Sequence, residues 1–312
     1  MEIYNHSDFI MDKKTAVTLG NFDGIHLGHL ELINTVKEYA RNRGLKSVMF
    51  SFYPHPVVFF GKNQGFKTML TVEEKELAAE KTGVDILVQY PFTADFAALS
   101  PQEFMDILYE KTNCEVLVVG ENYNFGKNRA GDLETLRALG EERGIRVIGI
   151  ASVKRNEIRV SSTRIRELIS RGEMEEVATL LNKPYFVMGE VVHGMKRGRS
   201  MDFPTLNLEP REDKLLPPDG VYFSTTIYKD KVYPSMSNIG KNPTFSGDKR
   251  TIETHILNRD MGELYGENIV VCIYKKLRDE IKFSSMEELK ARLREDKKIA
   301  LDISKNSKLL KL

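Results

Sequence analysis

The chain of 312 residues is too long for one ordinary hydrophobic core and about the right length for two domains that each bury an apolar interior. Its composition, 41% hydrophobic and 29% charged, is typical of a soluble globular protein. The 46 basic and 45 acidic residues nearly cancel, so the net charge predicts neither a nucleic-acid partner nor a membrane partner.

The first residues and the cysteines indicate the compartment. The segment MEIYNHSDFIMDKK lacks a basic region followed by an apolar one, and no later segment approaches the roughly 18 apolar residues of a membrane span. Cys114 and Cys272 lie on different predicted strands without CxxC spacing, which indicates buried free thiols, with neither a disulfide nor a zinc cluster. We therefore expect a cytoplasmic protein.

From the N-terminus to residue 183, short apolar runs alternate with amphipathic helical patterns. The predicted strands are TAVTLG, KSVMFSF, VDILVQY, CEVLVVG and IRVIGI. The predicted helices are HLELINTVKEYARNRG, which stops at Gly44, PQEFMDILYEK, DLETLRALGEERG and STRIRELISRG. The alternation predicts a Rossmann-like α/β domain over residues 1–183, with a parallel sheet covered by helices.

Residues 184–312 show a different pattern, in which strand-like segments are separated by turn clusters. The segments are YFVMGEVVHG, GVYFSTTIYKD, KVYPSMSNIG, TIETHILN and NIVVCIYKKL, with one helix, SMEELKARLRED. This pattern predicts a small antiparallel β-barrel with a C-terminal helix. Pro184 marks the junction because it disfavours helix at Lys183.

A glycine-rich turn, TLGNFDGIHLGHLELI, follows a predicted strand and opens a predicted helix. It places glycines around His26 and His29, and the N–H groups of a helix start favour anionic oxygens, so the turn predicts a phosphate site. Zinc is a poorer interpretation because no third or fourth ligand stands at a recognisable spacing. Histidines that merely cap a loop are the structural alternative.

Two further segments are candidates for completing this site. VSSTRIRELI offers hydroxyl and guanidinium groups at a helix start, although an ordinary N-cap with a solvated basic face explains it equally well. VGENYNFGKNRAG follows a predicted strand at the carboxyl end of the sheet, where open α/β folds bind ligands. It is not a P-loop, because Lys127 is followed by Asn.

A second candidate site begins in HGMKRGRSMDFPTLNL. Its glycines and cations suggest a flap over phosphates. Thr205 and Asn207 project to one side of an extended segment and offer the hard oxygen ligands that Mg²⁺ accepts. A solvent-facing hairpin tip is the alternative, and a nucleic-acid barrel is disfavoured because the cations cluster in one loop without stacking aromatic residues.

Glu253 lies within the predicted strand TIETHILN. Glutamate is disfavoured in strands unless it faces solvent or is used, and a solvent-facing carboxylate is the more common explanation.

Taken together, these motifs resemble the bacterial bifunctional riboflavin kinase and FMN adenylyltransferase family, also called bifunctional FAD synthetase. The matching segments of the first domain are TLGNFDGIHLGH, FYPHP, FTADFAALSPQEF, VGENYNFGKNRAG and VSSTRIR. Those of the second domain are HGMKRGRSMDFPTLNL, PPDGVY, SNIGKNPTF, IETHIL and ELYG. The HxGH pattern alone is similar to the wider nucleotidyltransferase superfamily. The departures are Leu206, where alanine is usual, and Asn258 and Arg259, where Asp-Phe is frequent.

The resemblance implies an N-terminal FMN adenylyltransferase domain and a C-terminal riboflavin kinase barrel. His26 and His29 would contact ATP phosphates, Thr205 and Asn207 would hold Mg²⁺, and Glu253 would be the catalytic base. The other expected contacts to ATP and its phosphates are Gly20, Phe22, Asp23, Gly28, Asn122, Ser161, Ser162, Thr163, Arg166, Gly194, Lys196, Gly198 and Arg199. The expected flavin contacts are Asn124 and Arg129.

The expected substrates and products are riboflavin, FMN, FAD, ATP, ADP and pyrophosphate. The FMN phosphate is already anionic at neutral pH and needs charge stabilisation, whereas the riboflavin alcohol gains from a base. Two alternatives stay open. One is a nucleotidyltransferase for another phosphorylated acceptor, with the barrel as a substrate-binding module. The other is a flavin-binding regulator without turnover. The sequence leaves self-association undecided.

Overall fold

The computed structural model describes residues 1–61, 65–194, 203–241, 249–259 and 261–312. Within them the chain divides into two compact units, Met1–Ser162 and Thr163–Leu312. The boundary expected at residue 184 stays a prediction, and the packing groups residues 163–183 with the second unit. No helix of these described ranges is long and apolar enough to cross a membrane.

The first unit is built on a six-stranded parallel sheet, which confirms the predicted α/β fold. Its strands are β1 Glu2–Tyr4, β2 Thr15–Leu19, β3 Lys46–Tyr53, β4 Ile86–Pro91, β5 Cys114–Gly120 and β6 Arg146–Ile150. They are ordered β1-β4-β3-β2-β5-β6, so the strand order reverses at β2, between β3 and β5. Ligands bind at such a switch point in open α/β sheets.

Helices connect these strands. They are α1 Leu27–Arg43, α2 Pro56–Phe59, α3 Val72–Thr82, α4 Ala94–Ala98, α5 Pro101–Thr112 and α6 Leu133–Glu142. As predicted, α1 ends at Gly44, whose φ of 66° is the left-handed conformation that glycine adopts without strain. A short hairpin follows the sheet, formed by β7 Lys154–Arg155 and β8 Ile158–Arg159.

The second unit contains the antiparallel barrel and the C-terminal helix that the sequence predicts, preceded by two further helices. Its elements are α7 Ser162–Arg171, α8 Met174–Leu181, β9 Tyr185–Val192, β10 Leu206–Leu208, β11 Gly220–Tyr228, β12 Lys231–Lys241, β13 Arg250–Ile256, β14 Asn268–Arg278 and α9 Met286–Asn306. The strand order around the barrel is β10-β13-β12-β11-β14-β9, and β9 pairs with β10 to close it.

The two faces of the barrel strands are chemically distinct. On the outer face Phe223 and Met236 pack in a cluster with residues of α9. The alternate residues face the interior, where the hydroxyl groups of Ser224, Ser237 and Thr254 bond to one another at 2.8 Å. Since Thr254 faces inwards, its neighbour Glu253 lies on the outer face.

Both cysteines are free and buried, Cys114 at the start of β5 and Cys272 in β14, which confirms the expectation from their spacing.

Candidate active sites

A cavity of about 270 Å³ lies at the switch point of the first unit, at the carboxyl ends of β2, β5 and β6. Seven of the sequence-predicted residues line it, namely Gly20, His26, Gly28, His29, Asn122, Ser161 and Ser162. Residues from three distant segments thus meet in one place because parallel strands end at the same edge of the sheet.

The two histidines form a stacked pair at the start of α1. Their ring centroids are 3.7 Å apart, and the rings are nearly parallel, at 12°. His26 is the N-cap of α1, and its Nδ1 accepts the backbone N–H of His29 at 3.3 Å. In the neutral ring the hydrogen of His26 therefore stands on Nε2. A Cβ at position 28 would lie 3.2 Å from the His26 ring, so Gly28 leaves room for this pairing.

Phe22 and Asp23 precede the histidines but do not line the cavity. Phe22 is fully buried, and its ring centroid lies 5.1 Å from that of His29. The Asp23 carboxylate accepts the backbone N–H groups of Met69 and Leu70 at 2.8 and 3.1 Å. These contacts fix the loop, and contact of Phe22 and Asp23 with phosphates stays a prediction.

The serines of VSSTRIR reach the cavity at the start of α7. Ser162 Oγ donates to the carbonyl oxygen of Asp23 at 3.3 Å, which ties the start of α7 to the glycine-rich loop. Thr163 and Arg166 follow on α7, in residues that the packing groups with the second unit. Their contribution to ATP binding stays a prediction.

The two residues predicted to contact the flavin do not line the cavity. Asn124 is exposed, and its Nδ2 donates to the carbonyl oxygen of Asn122 at 3.5 Å. Arg129 is exposed in a short 3₁₀ turn, Lys127–Arg129, with a φ of 60°. Their flavin contact also stays a prediction.

The other lining residues include three with ionisable or hydroxyl side chains that were not predicted as site residues, Glu121, Ser152 and Arg159, of which Glu121 lies within the segment VGENYNFGKNRAG. Glu121 Oε1 accepts the backbone N–H of Ser152 at 3.2 Å, and Asn122 Nδ2 donates to Ser152 Oγ at 3.2 Å. Ser152 follows β6, so its position just beyond a predicted strand was a usable signal. Arg159 stands on the short hairpin, which no sequence pattern marked.

In the barrel a row of polar residues crosses three strands. Asn207 on β10 is opposite Glu253 on β13, and Glu253 is opposite Asn238 on β12. Asn207 is buried and Glu253 is half-buried. Asn238 Nδ2 donates to Glu280 Oε1 at 3.5 Å, which brings a second carboxylate towards the row. Asn238 lies within the family-matching segment SNIGKNPTF, where no pattern distinguishes it from its neighbours, and Glu280 lies in no motif.

Gly194 closes over one end of this row. A Cβ there would lie 2.6 Å from Asn207 Cγ, far closer than real atoms approach. A side chain at position 194 would therefore displace either the Asn207 amide or the loop. The predicted cations of this loop, Lys196 and Arg199, and its second glycine, Gly198, lie outside the described residues.

Thr205 is placed by its neighbours on both sides. Leu206 is opposite Thr254 and faces the interior, so Thr205 and Asn207 share the outer face. His255 Nδ1 contacts the carbonyl oxygen of Pro204 at 2.9 Å, and burial lowers the pKa of His255. Since a carbonyl oxygen only accepts, Nδ1 carries the hydrogen, and a neutral imidazole anchors the strand that begins at Leu206.

The comparisons with known proteins match both units. The sequence profile of the FAD synthetase family matches residues 9–164, and that of the riboflavin kinase family matches residues 181–304. The bifunctional riboflavin kinase/FMN adenylyltransferase of Listeria monocytogenes is 37% identical over 94% of this chain and 95% of the relative. The chain belongs to the bifunctional riboflavin kinase/FMN adenylyltransferase family. The Escherichia coli member is 34% identical over 90% of both chains.

The two candidate sites lie in different matched regions of the chain. The histidine-lined cavity lies within the FAD synthetase match, and the Asn207–Glu253–Asn238 row lies within the riboflavin kinase match. A crystal structure from Streptococcus pneumoniae, named a macrolide-efflux protein, covers 99% of both chains with a TM-score of 0.86 and 32% identity. Efflux is part of the name of the Streptococcus pneumoniae protein only. The present chain shares its fold and part of its sequence.

Proposed function

We propose that the chain phosphorylates riboflavin to FMN in its barrel and adenylylates FMN to FAD in its α/β unit, with ATP as the co-substrate of both reactions. The observation that carries this proposal is that each of the two matched family regions contains its own constellation, and that the two differ as the reactions require. One is a glycine- and histidine-lined cavity at a helix start, and the other places a carboxylate beside an amide on a barrel.

In the α/β unit the nucleophile is the phosphate of FMN. A phosphate monoester has a second pKa near 6, so it is anionic at neutral pH and attacks the α-phosphorus of ATP without a base. Pyrophosphate leaves, and the site has to stabilise the negative charge that spreads over the oxygens. His26, His29 and the N–H groups at the start of α1 supply positioned donors for that purpose, and Ser161 and Ser162 line the same cavity. Arg166 adds a cation in this proposal.

In the barrel the nucleophile is the primary alcohol of riboflavin, which stays protonated at neutral pH. Glu253 is proposed to accept this proton as the oxygen attacks the γ-phosphorus of ATP, and ADP leaves. The outer-face position of Glu253 fits that role, because the interior of the barrel is occupied by buried side chains, among them Ser224, Ser237 and Thr254.

Mg²⁺ is proposed to bind at Thr205 and Asn207. Both side chains offer oxygen ligands, and Asn207 is buried beside Gly194, where an added Cβ would lie 2.6 Å from Asn207 Cγ. Mg²⁺ bound there would neutralise charge on the nucleotide phosphates. The flap residues Lys196, Gly198 and Arg199 are proposed to hold the same phosphates.

The remaining assignments are also proposals: Asn124 and Arg129 as flavin contacts, and the cytoplasm as the place of action, where ATP is available.

An acceptor panel tests the proposed function against its main alternative. The purified protein is incubated with Mg²⁺, with ATP or CTP, and with FMN, glycerol phosphate or nicotinamide mononucleotide, and pyrophosphate release is measured. Release is expected with ATP and FMN alone. Faster turnover of a non-flavin acceptor would favour a nucleotidyltransferase of different specificity, and flavin binding without ATP consumption would favour a regulator.

A further inference from the structure

Lys75 is a charged side chain enclosed in the α/β unit. It lies on the buried face of α3 and is 7% exposed. Its Nζ donates to the carbonyl oxygen of Asn21 and to Ser51 Oγ, both at 2.9 Å. Ser51 Oγ donates to the same carbonyl oxygen at 3.0 Å. Burial lowers the pKa of Lys75 to about 8, while the nearby Asp23 carboxylate acts in the opposite direction.

The carbonyl that Lys75 holds belongs to a strained loop. Phe22 and Ile25 have φ values of 47° and 45°, in the left-handed region that side chains other than glycine rarely adopt, and both are fully buried. Such conformations persist only where their surroundings impose them. Here the restraints lie on either side of Phe22: Lys75 holds Asn21, and the Asp23 carboxylate is held by two backbone N–H groups.

The next residue after this strained loop is His26, so the path of the loop decides where the stacked histidines stand. An apolar side chain of similar length would fill the place of Lys75 without desolvating a charge. Packing alone therefore does not explain why this position carries an ammonium group, and its hydrogen bonds do. The ammonium adds two bonds, one to the Asn21 carbonyl and one to Ser51 Oγ, which itself donates to that carbonyl.

We infer that Lys75 is a positioning residue for FAD formation, whose ammonium fixes the Asn21 carbonyl and through it the turn that brings His26 and His29 to the cavity. The inference rests on the proposed adenylyl transfer. It assigns Lys75 no contact with substrate.

The test compares Lys75→Met with Lys81→Met, which changes an exposed lysine on the same helix. Lys75→Met is expected to lower kcat for FAD formation from FMN on the order of 10- to 100-fold with little change in KM, because misplaced groups lose rate more than binding. The midpoint of thermal unfolding should stay level or rise, since a buried charge is removed. Riboflavin phosphorylation by the same preparation and both activities of Lys81→Met should stay unchanged.

The pH profile separates positioning from simple packing. In the native chain kcat for FAD formation should fall as the pH rises through about 8, because deprotonated Lys75 loses its charge-assisted bond. The charged group that faces it is Asp23, and Asn21 and Ser51 are neutral. Lys75→Met should lack this alkaline fall.

Unchanged kcat in Lys75→Met, or an equal loss of both activities with a lower unfolding midpoint, would overturn the inference. If Lys75→Met does not fold, a native profile that stays flat through pH 8 and above overturns it just as well. A native chain that does not adenylylate FMN at all would instead defeat the proposed function, so the two failures are distinguishable.

Discussion

Asn207 and Glu253 stand directly opposite each other on adjacent antiparallel strands, and both side chains leave the outer face of the barrel. Opposite residues in such a pair have Cβ atoms about 4.5–5.5 Å apart. The amide proposed to hold Mg²⁺ and the carboxylate proposed as the base are thus fixed relative to each other by backbone pairing. A rigid spacing of this kind suits a reaction in which an alcohol must meet a phosphate held by a metal ion.

Glu253→Gln tests the proposed base. The change removes the proton acceptor while keeping the shape, so FMN formation should fall about 10²- to 10⁴-fold. Conversion of supplied FMN to FAD should be unaffected. Both rates are measured by chromatography of the flavins, beside Glu190→Gln, which changes an exposed glutamate on β9. A variant that phosphorylates riboflavin at the native rate would remove Glu253 from the mechanism.

His29→Ala should give the reverse pattern. Loss of one positioned donor to developing negative charge lowers the rate about 10²- to 10³-fold, so FAD formation should drop while FMN formation continues. The exposed His6, changed to Ala, is the control. Pyrophosphate release from ATP and FMN is the measurement, and native release from His29→Ala would contradict the assignment.

Gly194→Ala tests the close approach of backbone to amide. The added methyl would sit 2.6 Å from Asn207 Cγ, so either the amide or the loop has to move, and a displacement near 1 Å costs on the order of 10²-fold in rate. Gly189→Ala on β9 is the matched control, because its Cβ would meet only Leu208 Cδ2 at an ordinary 3.7 Å. Initial rates of riboflavin phosphorylation are compared over a range of Mg²⁺ concentrations. Equal rates for the two variants would show that riboflavin phosphorylation does not depend on the position of the Asn207 amide.

Two fragments test where the barrel domain begins. Helix α8 buries Val177 and Leu181 and packs against β9 and β14, yet the boundary expected from the sequence would remove it. The free energy of unfolding should therefore be several kcal/mol larger for fragment 163–312 than for fragment 184–312. This follows because burial of each large apolar side chain contributes roughly 1.5–3 kcal/mol. Both should make FMN but no FAD. Equal urea midpoints would favour the boundary at Pro184.

Thiol labelling tests the burial of the cysteines. Burial raises the pKa of Cys114 and raises that of Cys272 to about 12, and the thiolate is the reactive form. Neither thiol should react with an aromatic disulfide reagent in the native protein at neutral pH, and both should react after unfolding in guanidinium. Rapid native labelling of either cysteine would contradict the packing around it.

Sequence predicts best the elements whose buried residues are largely apolar and follow one another without interruption. Strands β2 to β5 are largely apolar runs buried along most of their length, a pattern that sequence shows directly. Helix α3 escaped prediction because its buried face includes Glu74 and Lys75, which hides the apolar periodicity. Strand β10 escaped because it has three residues and takes its place by pairing with β9 and β13.

The residues of the candidate sites also fall into those that a motif predicts and those that only the fold brings together. His26 and His29 stand in a glycine-rich motif whose residue types predict a phosphate site, whereas Ser162 stands in a segment that an ordinary N-cap explains equally well. Ser152 stands in no motif, and nothing in the segment SNIGKNPTF distinguishes Asn238 from its neighbours. Both residues join a site only because distant strands end together or pair in register. Such neighbours follow from topology and register, which a single sequence does not supply.

The stoichiometry of one reaction tests the central claim most directly. The purified chain is incubated with riboflavin, Mg²⁺ and excess ATP, and flavins, ADP and pyrophosphate are quantified together over time. Two separate sites predict that FMN appears first and FAD follows, with one ADP and one pyrophosphate formed for each FAD. Absence of FAD, or FAD formed without matching ADP and pyrophosphate, would contradict the assignment of both steps to this chain.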